Sequence, residues 1–131
     1  MNQFYWPVRV YYEDTDAGGV VFYANYLKFF ERARTEMLRH LGFEQDQLRN
    51  ELGILFVVRS ASIDYLKPAH FNDQLQISSE IVAIKKTSLT FKQSVMCNHD
   101  LLCVSEIRIA CVDAQTLKPK PISPLILNKI T

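Results

Sequence analysis

The stretch DTDAGGVVFYANYLKFFERARTEMLRHLG, residues 14–42, decides the reading of the fold. Its first six residues, Asp14-Thr15-Asp16-Ala17-Gly18-Gly19, are mostly short and polar and end in paired glycines, which marks a turn whose backbone can reach positive φ. Beyond them the period changes. Phe22, Tyr26, Phe29, Phe30, Ala33, Met37 and Leu41 recur at steps of three and four, while Lys28, Glu31, Arg32, Thr35, Glu36 and Arg39 fill the opposite face. That is the pattern of an amphipathic helix, with Arg32 and Glu36 four apart on its wet side. Gly42 follows as a C-terminal stop. A helix from Phe22 to Leu41 is about 30 Å long, and no other periodic segment of the chain is as long.

On the N-terminal side, Val8, Val10 and Tyr12 alternate with Arg9, Tyr11 and Glu13, a strand pattern. On the C-terminal side a short second helical stretch is expected around Glu44 to Leu52, and the remainder reads as strands. Ile54 to Leu66 is long and partly β-branched. Leu75, Ile77, Ile81 and Ala83 alternate with Gln74, Gln76, Ser78 and Glu80, so one face is buried and one is wet. Leu89, Phe91 and Val95 repeat that logic. Leu101 to Val112 is apolar on both parities except at Ser105, Glu106 and Arg108, which suits a central strand. Lys85-Lys86-Thr87-Ser88 reads as the turn between two strands, and Pro119 to Pro124 as irregular chain. Strand, long helix, then four strands in succession argues α+β with an antiparallel sheet rather than alternating βαβ units. One helix can cover one sheet face, leaving a short edge strand free for pairing between subunits.

The chain has 131 residues, without repeats, low-complexity stretches or a linker, so a single domain over 1–131 is the economical reading. Apolar residues at 48% and charged ones at 22% exclude a disordered or fibrous chain. A net charge of +1 removes the global electrostatic case for nucleic-acid binding, so any anionic partner must be held locally. Cys97, Cys103 and Cys111 make an odd count without CxxC spacing, which argues against a disulfide framework or a zinc knuckle and for reduced thiols in the strands of a cytosolic protein. Met1 to Val10 lacks the pattern of a signal peptide, and the apolar run Ile54 to Val58 is too short to span a bilayer. A soluble, cytoplasmic protein is expected.

No GxSxG, HExxH, P-loop or dinucleotide fingerprint is present, and His40, His70 and His99 lie far apart, each without a ligand-like neighbour. No metal or cofactor is expected. Chemistry therefore falls to the turn before the long helix. The plainest role of Asp14 and Asp16 is to cap that helix and complement its dipole. The same physics supports catalysis. First-turn N–H groups lack an intrahelical acceptor. Aimed at a carbonyl, they stabilise the charge that develops in acyl transfer. A carboxylate facing them can act as nucleophile or as general base for water. Gly18 and Gly19 would let backbone approach a substrate unobstructed. Lys85-Lys86-Thr87-Ser88 is a solvated turn in its plain reading and a phosphate contact in its functional one, if it lies near the helix start, supplied within the chain or by a neighbouring subunit.

Val8 to Tyr26, followed by Phe30-Glu31-Arg32-Ala33-Arg34, closely resembles the opening of the hot-dog acyl-CoA thioesterases, in the branch of 4-hydroxybenzoyl-CoA thioesterase. Within that branch it is most similar to the Tol-Pal-associated bacterial acyl-CoA thioesterases. Ile63-Asp64-Tyr65, Pro68-Ala69, Asp73, Val112-Asp113 and Lys118-Pro119 resemble later segments of the family, so the likeness covers nearly the whole chain. The D-T-D-x-x-G turn is the specific part. The resemblance implies a hot-dog fold, a five-stranded antiparallel sheet wrapped around one long central helix, joined edge to edge into dimers and often tetramers. It implies hydrolysis of acyl-CoA to a free acid and CoA, in lipid metabolism. The family's catalytic carboxylate falls on Asp16, its carbonyl-polarising N–H on Tyr23, and its pantetheine-phosphate contacts on Lys85 and Lys86, with Thr87 and Ser88 close by. Many close relatives carry histidine where this chain has Tyr23, whereas the 4-hydroxybenzoyl branch also has tyrosine; the N–H survives either way.

Two further readings use the same fold. One is a non-catalytic module that binds acyl-CoA or an acyl carrier protein. The other is a dehydratase, which would need a histidine facing a carboxylate near the helix, and no histidine precedes His40. Phe22 and Tyr26 read first as helix core and second as an acyl-pocket lining. Acyl-chain preference is not legible.

Overall fold

The computed structural model describes residues 3–131. Five strands, β1 (Phe4–Arg9), β2 (Ile54–Tyr65), β3 (Gln74–Ile84), β4 (Ser88–Cys97) and β5 (Asp100–Asp113), form one antiparallel sheet in the order β1-β3-β4-β5-β2. The long helix α1 (Tyr23–His40) lies against it. Tyr26, Phe29, Phe30, Ala33, Met37 and Leu38 are buried on its inner face among Leu75, Ile77, Ile81, Leu89, Phe91 and Val95 from the sheet. Each large apolar side chain taken from water there contributes about 1.5–3 kcal/mol. This is the α+β antiparallel architecture expected from the order of elements, and the five-stranded sheet on one long helix that the resemblance to hot-dog proteins implies.

The helix limits match their signals. Phe22 is the extended N-cap, and at the far end Gly42 takes φ +99° just past the last turn. The second helical stretch is present as α2 (Gln45–Gln47) running on into a π-helical turn, Leu48–Leu52. β5 has partners on both sides, consistent with its double-sided apolarity.

Two expectations need correction, and a third needs an addition. The first strand begins earlier than the alternation suggested and does not reach Tyr12. Its pairing continues only as far as Val10, which exchanges backbone hydrogen bonds with Asp73 and Asn72 (3.0 and 2.9 Å); Tyr12–Asp14 then form a 3-10 turn held by the Asp14 side chain, which accepts from Tyr11 N–H at 2.9 Å. The short edge strand that was expected is β1, six residues long, but the sheet's other edge, β2, is twelve residues long and exposed over most of its length. Finally, a helix expected nowhere, α3 (Pro124–Ile130), closes the chain. Its signal was present: Ser123 caps it by accepting from Leu125 N–H (3.2 Å), with proline next in line and Ile126 and Ile130 turned inward.

Candidate active site

The site is built where the turn after β1 enters α1. Asp14 and Asp16 have different roles. Asp14 is buried. Its side chain holds Tyr11, and its carbonyl accepts from both Phe22 N–H (3.0 Å) and Asn25 Nδ2 (2.8 Å), which ties the helix start to the turn. Asp16 is exposed, and its Oδ1 accepts from Gly18 N–H at 2.8 Å. The loop is closed by Asp16 N–H donating to Val20 carbonyl (2.9 Å) and Gly19 N–H donating to Asp16 carbonyl (3.0 Å), with Gly19 at φ +80°. The glycines thus shape the loop under Asp16; a Cβ on Gly18 would sit 3.3 Å from Asp16 Oδ1.

The first turn of α1 supplies the donors. Phe22 N–H is used by Asp14 and Asn25 N–H by Phe22 carbonyl (2.9 Å). Between them, the N–H groups of Tyr23 and Ala24 have no backbone or side-chain acceptor among the described residues, as the geometry of a helix start requires.

Asp16 and Tyr23 line one cavity of about 430 Å³, together with Val20, Val21, Phe22, Tyr26, Tyr65, Leu66, Lys67 and Pro68. Its walls are largely apolar and aromatic, and its polar side chains include one carboxylate and one ammonium. Phe22, read first as core, is more than half exposed and lines the cavity instead. Tyr26 is both core and lining: it is 2% exposed, and its hydroxyl accepts from Ala69 N–H at 3.1 Å. Burial pushes its phenol up, which keeps it a neutral hydrogen-bonding group.

Sequence reasoning gave no role to Tyr65 or Lys67. Tyr65, at the end of β2, tilts over Tyr23 with ring centroids 4.7 Å apart, meets Tyr26 edge-on at 5.4 Å, and donates its hydroxyl to the Tyr23 carbonyl at 3.3 Å. Its signals were its place at the end of the long strand and in a segment that resembles the family, and neither says what lies opposite. Across the ladder from Tyr65 sits Cys103. Burial pushes its thiol up to about 12, so it stays protonated and is no nucleophile at neutral pH. The thiols of Cys97, Cys103 and Cys111 are free, and no cluster of His, Cys, Asp and Glu suited to a metal occurs among the described residues.

Lys85–Ser88 lies elsewhere. Ser88 pairs with Ala110, and Tyr65 with Cys103, so the β3–β4 turn sits seven residues along β5 from the cavity, about 23 Å at strand spacing. Lys85 and Lys86 are exposed, Thr87 is half-buried, and Ser88 is buried with its hydroxyl accepting from Arg108 Nε at 3.4 Å. The turn is sewn down by Ile122 N–H donating to Lys86 carbonyl and Cys111 N–H to Thr87 carbonyl (2.9 and 2.7 Å). Within one chain these four residues do not reach the cavity.

An antiparallel sheet laid on one long helix, with a carboxylate and the first residue of that helix lining one cavity, defines a hot-dog protein equipped for carbonyl chemistry. Comparison with known proteins is specific. Residues 10–130 match the thioesterase-like superfamily, and the chain belongs to that family. It is 48% identical to the acyl-CoA thioester hydrolase YbgC of Escherichia coli over 95% of this chain and 92% of that one. It is 39% identical to the acyl-CoA thioesterase YbgC of Helicobacter pylori, over 93% and 98%. Among solved structures it is similar to a probable thioesterase from Bartonella henselae, with TM-score 0.90, 31% identity and coverage of 93% and 100%. A variant of 4-hydroxybenzoyl CoA thioesterase in complex with 4-hydroxybenzoyl CoA shares the fold at TM-score 0.92 with 18% identity over 98% and 99%.

Proposed function

We propose that this chain is an acyl-CoA thioesterase that hydrolyses the thioester to a carboxylic acid and CoA, as a single hot-dog domain over 1–131. Asp16 is the catalytic carboxylate, acting as nucleophile or as general base for water. The Tyr23 N–H, reinforced by the positive end of the α1 dipole, polarises the thioester carbonyl and holds the oxyanion. The observation that carries this reading is the shared cavity: the exposed Asp16 and Tyr23, whose N–H has no acceptor among the described residues, line one space with apolar walls. Similarity to acyl-CoA thioesterases over nearly the full length supports the substrate class.

Lys85 and Lys86 enter through a second copy of the chain. β2 is an edge strand; Val57, in its first half, pairs with Ala110 and so is level with Ser88 on the far side of β5, while its end, at Tyr65, lies at the cavity. Pairing two β2 strands antiparallel sets the start of one against the end of the other, which carries the partner's lysine turn toward this chain's cavity. There the two ammonium groups contact the phosphates of CoA, on a turn shaped by Thr87 and Ser88, while Gly18 and Gly19 hold the loop under the substrate. The working unit is a homodimer or a pair of dimers. Free thiols, two of them buried, support placing it in the cytoplasm, and acyl-CoA chemistry in lipid metabolism; no helix among the described residues is long and apolar enough to cross a membrane.

The test is thiol release from a panel of acyl-CoAs by the wild type and by Asp16→Asn. The variant keeps its fold by circular dichroism and loses about 10²–10⁴ in kcat, the usual worth of a positioned acid–base group. Hydrolysis at the wild-type rate would remove Asp16 from the mechanism.

A further inference from the structure

Lys67 supplies the only ammonium among the residues lining the 430 Å³ cavity, and the lysine turn of the same chain does not reach that space. Its position is fixed by backbone. Leu66 and Lys67 both donate their N–H groups to the Leu102 carbonyl (2.8 and 3.0 Å), and two residues on Ala69 is held by Tyr26 and Val21. Its charge, by contrast, is loosely held. The Nζ lies 3.3 Å from Asp100 Oδ1, and both side chains are mostly exposed. An ion pair of that kind is worth little in water and is readily exchanged. A fixed backbone anchor, a flexible side chain with a weakly engaged cation, and an apolar cavity that also holds Asp16 together describe a group able to move from one anion to another as a ligand enters.

We propose that Lys67 is a substrate-binding residue: on entry of the thioester its ammonium leaves Asp100 and pairs with an anionic group of the substrate. This inference rests on the thioesterase reading and adds to it a charge-reading contact from this chain's own β2–β3 segment. The shared chemistry is an oxyanion, either a phosphate of the CoA arm or a carboxylate on the acyl group. Charge-assisted contacts of this sort are stronger than neutral ones and select for charge. Asp100 is the competing anion, so removing it favours the substrate.

The experiment measures kcat and KM of the wild type, Lys67→Gln, Lys67→Arg and Asp100→Asn on three thioesters. Butyryl-CoA carries phosphates only, succinyl-CoA carries phosphates and an acyl carboxylate, and S-butyryl-N-acetylcysteamine carries neither. Lys67→Gln is expected to lower kcat/KM on at least one CoA thioester about tenfold more than on the uncharged one, through KM rather than kcat. Lys67→Arg restores most of the loss, and Asp100→Asn lowers KM for the same substrate. Equal losses on both CoA thioesters assign the phosphate; a loss confined to succinyl-CoA assigns the carboxylate. Equal losses on all three substrates, or none on any, overturn the proposal. If the wild type releases no thiol from any of them, it is the thioesterase reading that fails. Calorimetric binding of butyryl-CoA, succinyl-CoA and the cysteamine thioester to wild type and Lys67→Gln then decides Lys67 separately, and affinities that Lys67→Gln leaves unaltered overturn it.

Discussion

Asp14 and Asp16 are two residues apart, carry the same side chain, and do different work because the 3-10 turn rotates one inward and leaves the other out. Asp14 spends its carboxylate on Tyr11 N–H, while Asp16 keeps one oxygen on Gly18 N–H and the rest of its carboxyl group toward the cavity. That separation depends on Gly19, whose φ of +80° closes the loop through the hydrogen bond from its N–H to the Asp16 carbonyl. A Cβ added there meets nothing within 4 Å, so the cost of Gly19→Ala is backbone strain alone. It is expected to be about 1–2 kcal/mol, the penalty for an L-residue in the left-handed region. Urea unfolding should show a lower midpoint with an unchanged slope, and a larger fall in kcat than in stability would show that the loop's relaxed geometry moves Asp16.

At the scale of elements, the junction between the turn and α1 rests on Asn25. Its Nδ2 bonds to the Asp14 carbonyl in a buried setting, next to the Phe22 N–H on the same acceptor. Asn25→Ala removes one of two donors and leaves the carbonyl still paired, an expected loss of about 1 kcal/mol. Asn25→Asp faces an acceptor with an anion and should cost more than alanine does. Denaturation midpoints ordered wild type, alanine, aspartate would bear this out; aspartate at or above alanine would mean that the bond does not tie the helix. This contact also shows where sequence reading stopped. The helix was legible from residues three and four apart, because a helix face is a local pattern. So were Gly42 as its stop and the alternation of β3 and β4. The turn and the helix start were singled out because they are contiguous, while the choice of Asp16 over Asp14, and of Tyr23, came from the family resemblance. Tyr65 and Lys67 come from more than forty residues away, and their place at the cavity depends on β2 running beside β5 to that end of the sheet. The misplaced end of the first strand has a similar cause. Tyr12 keeps the alternating pattern, but a hydrogen bond from Tyr11 N–H to Asp14 competes with the ladder and wins.

For the whole molecule, the decisive feature is that one chain holds only part of the proposed site. β2 presents a twelve-residue edge, with Val57 and Val58 exposed and a bulge between Val58 and Ser60. A long exposed edge of this kind invites pairing with another strand, and a second copy offers an identical one. A two-fold axis near the bulge would place Val58 and Ala61 of one chain close to the same residues of its partner. Glutamate at both positions would then set like charges against each other across the axis without touching the core, since Ala61 and Val58 are exposed in the single chain. Val58→Glu/Ala61→Glu is therefore expected to give a folded monomer by sedimentation equilibrium. Its Asp16 and helix start remain intact, yet hydrolysis of acyl-CoA falls at least tenfold, mainly through KM, because the partner's Lys85 and Lys86 are gone. A variant that stays dimeric would place the interface elsewhere. A monomer with wild-type KM would show that the lysine turn takes no part in binding, leaving Lys67 as the cation that the substrate meets.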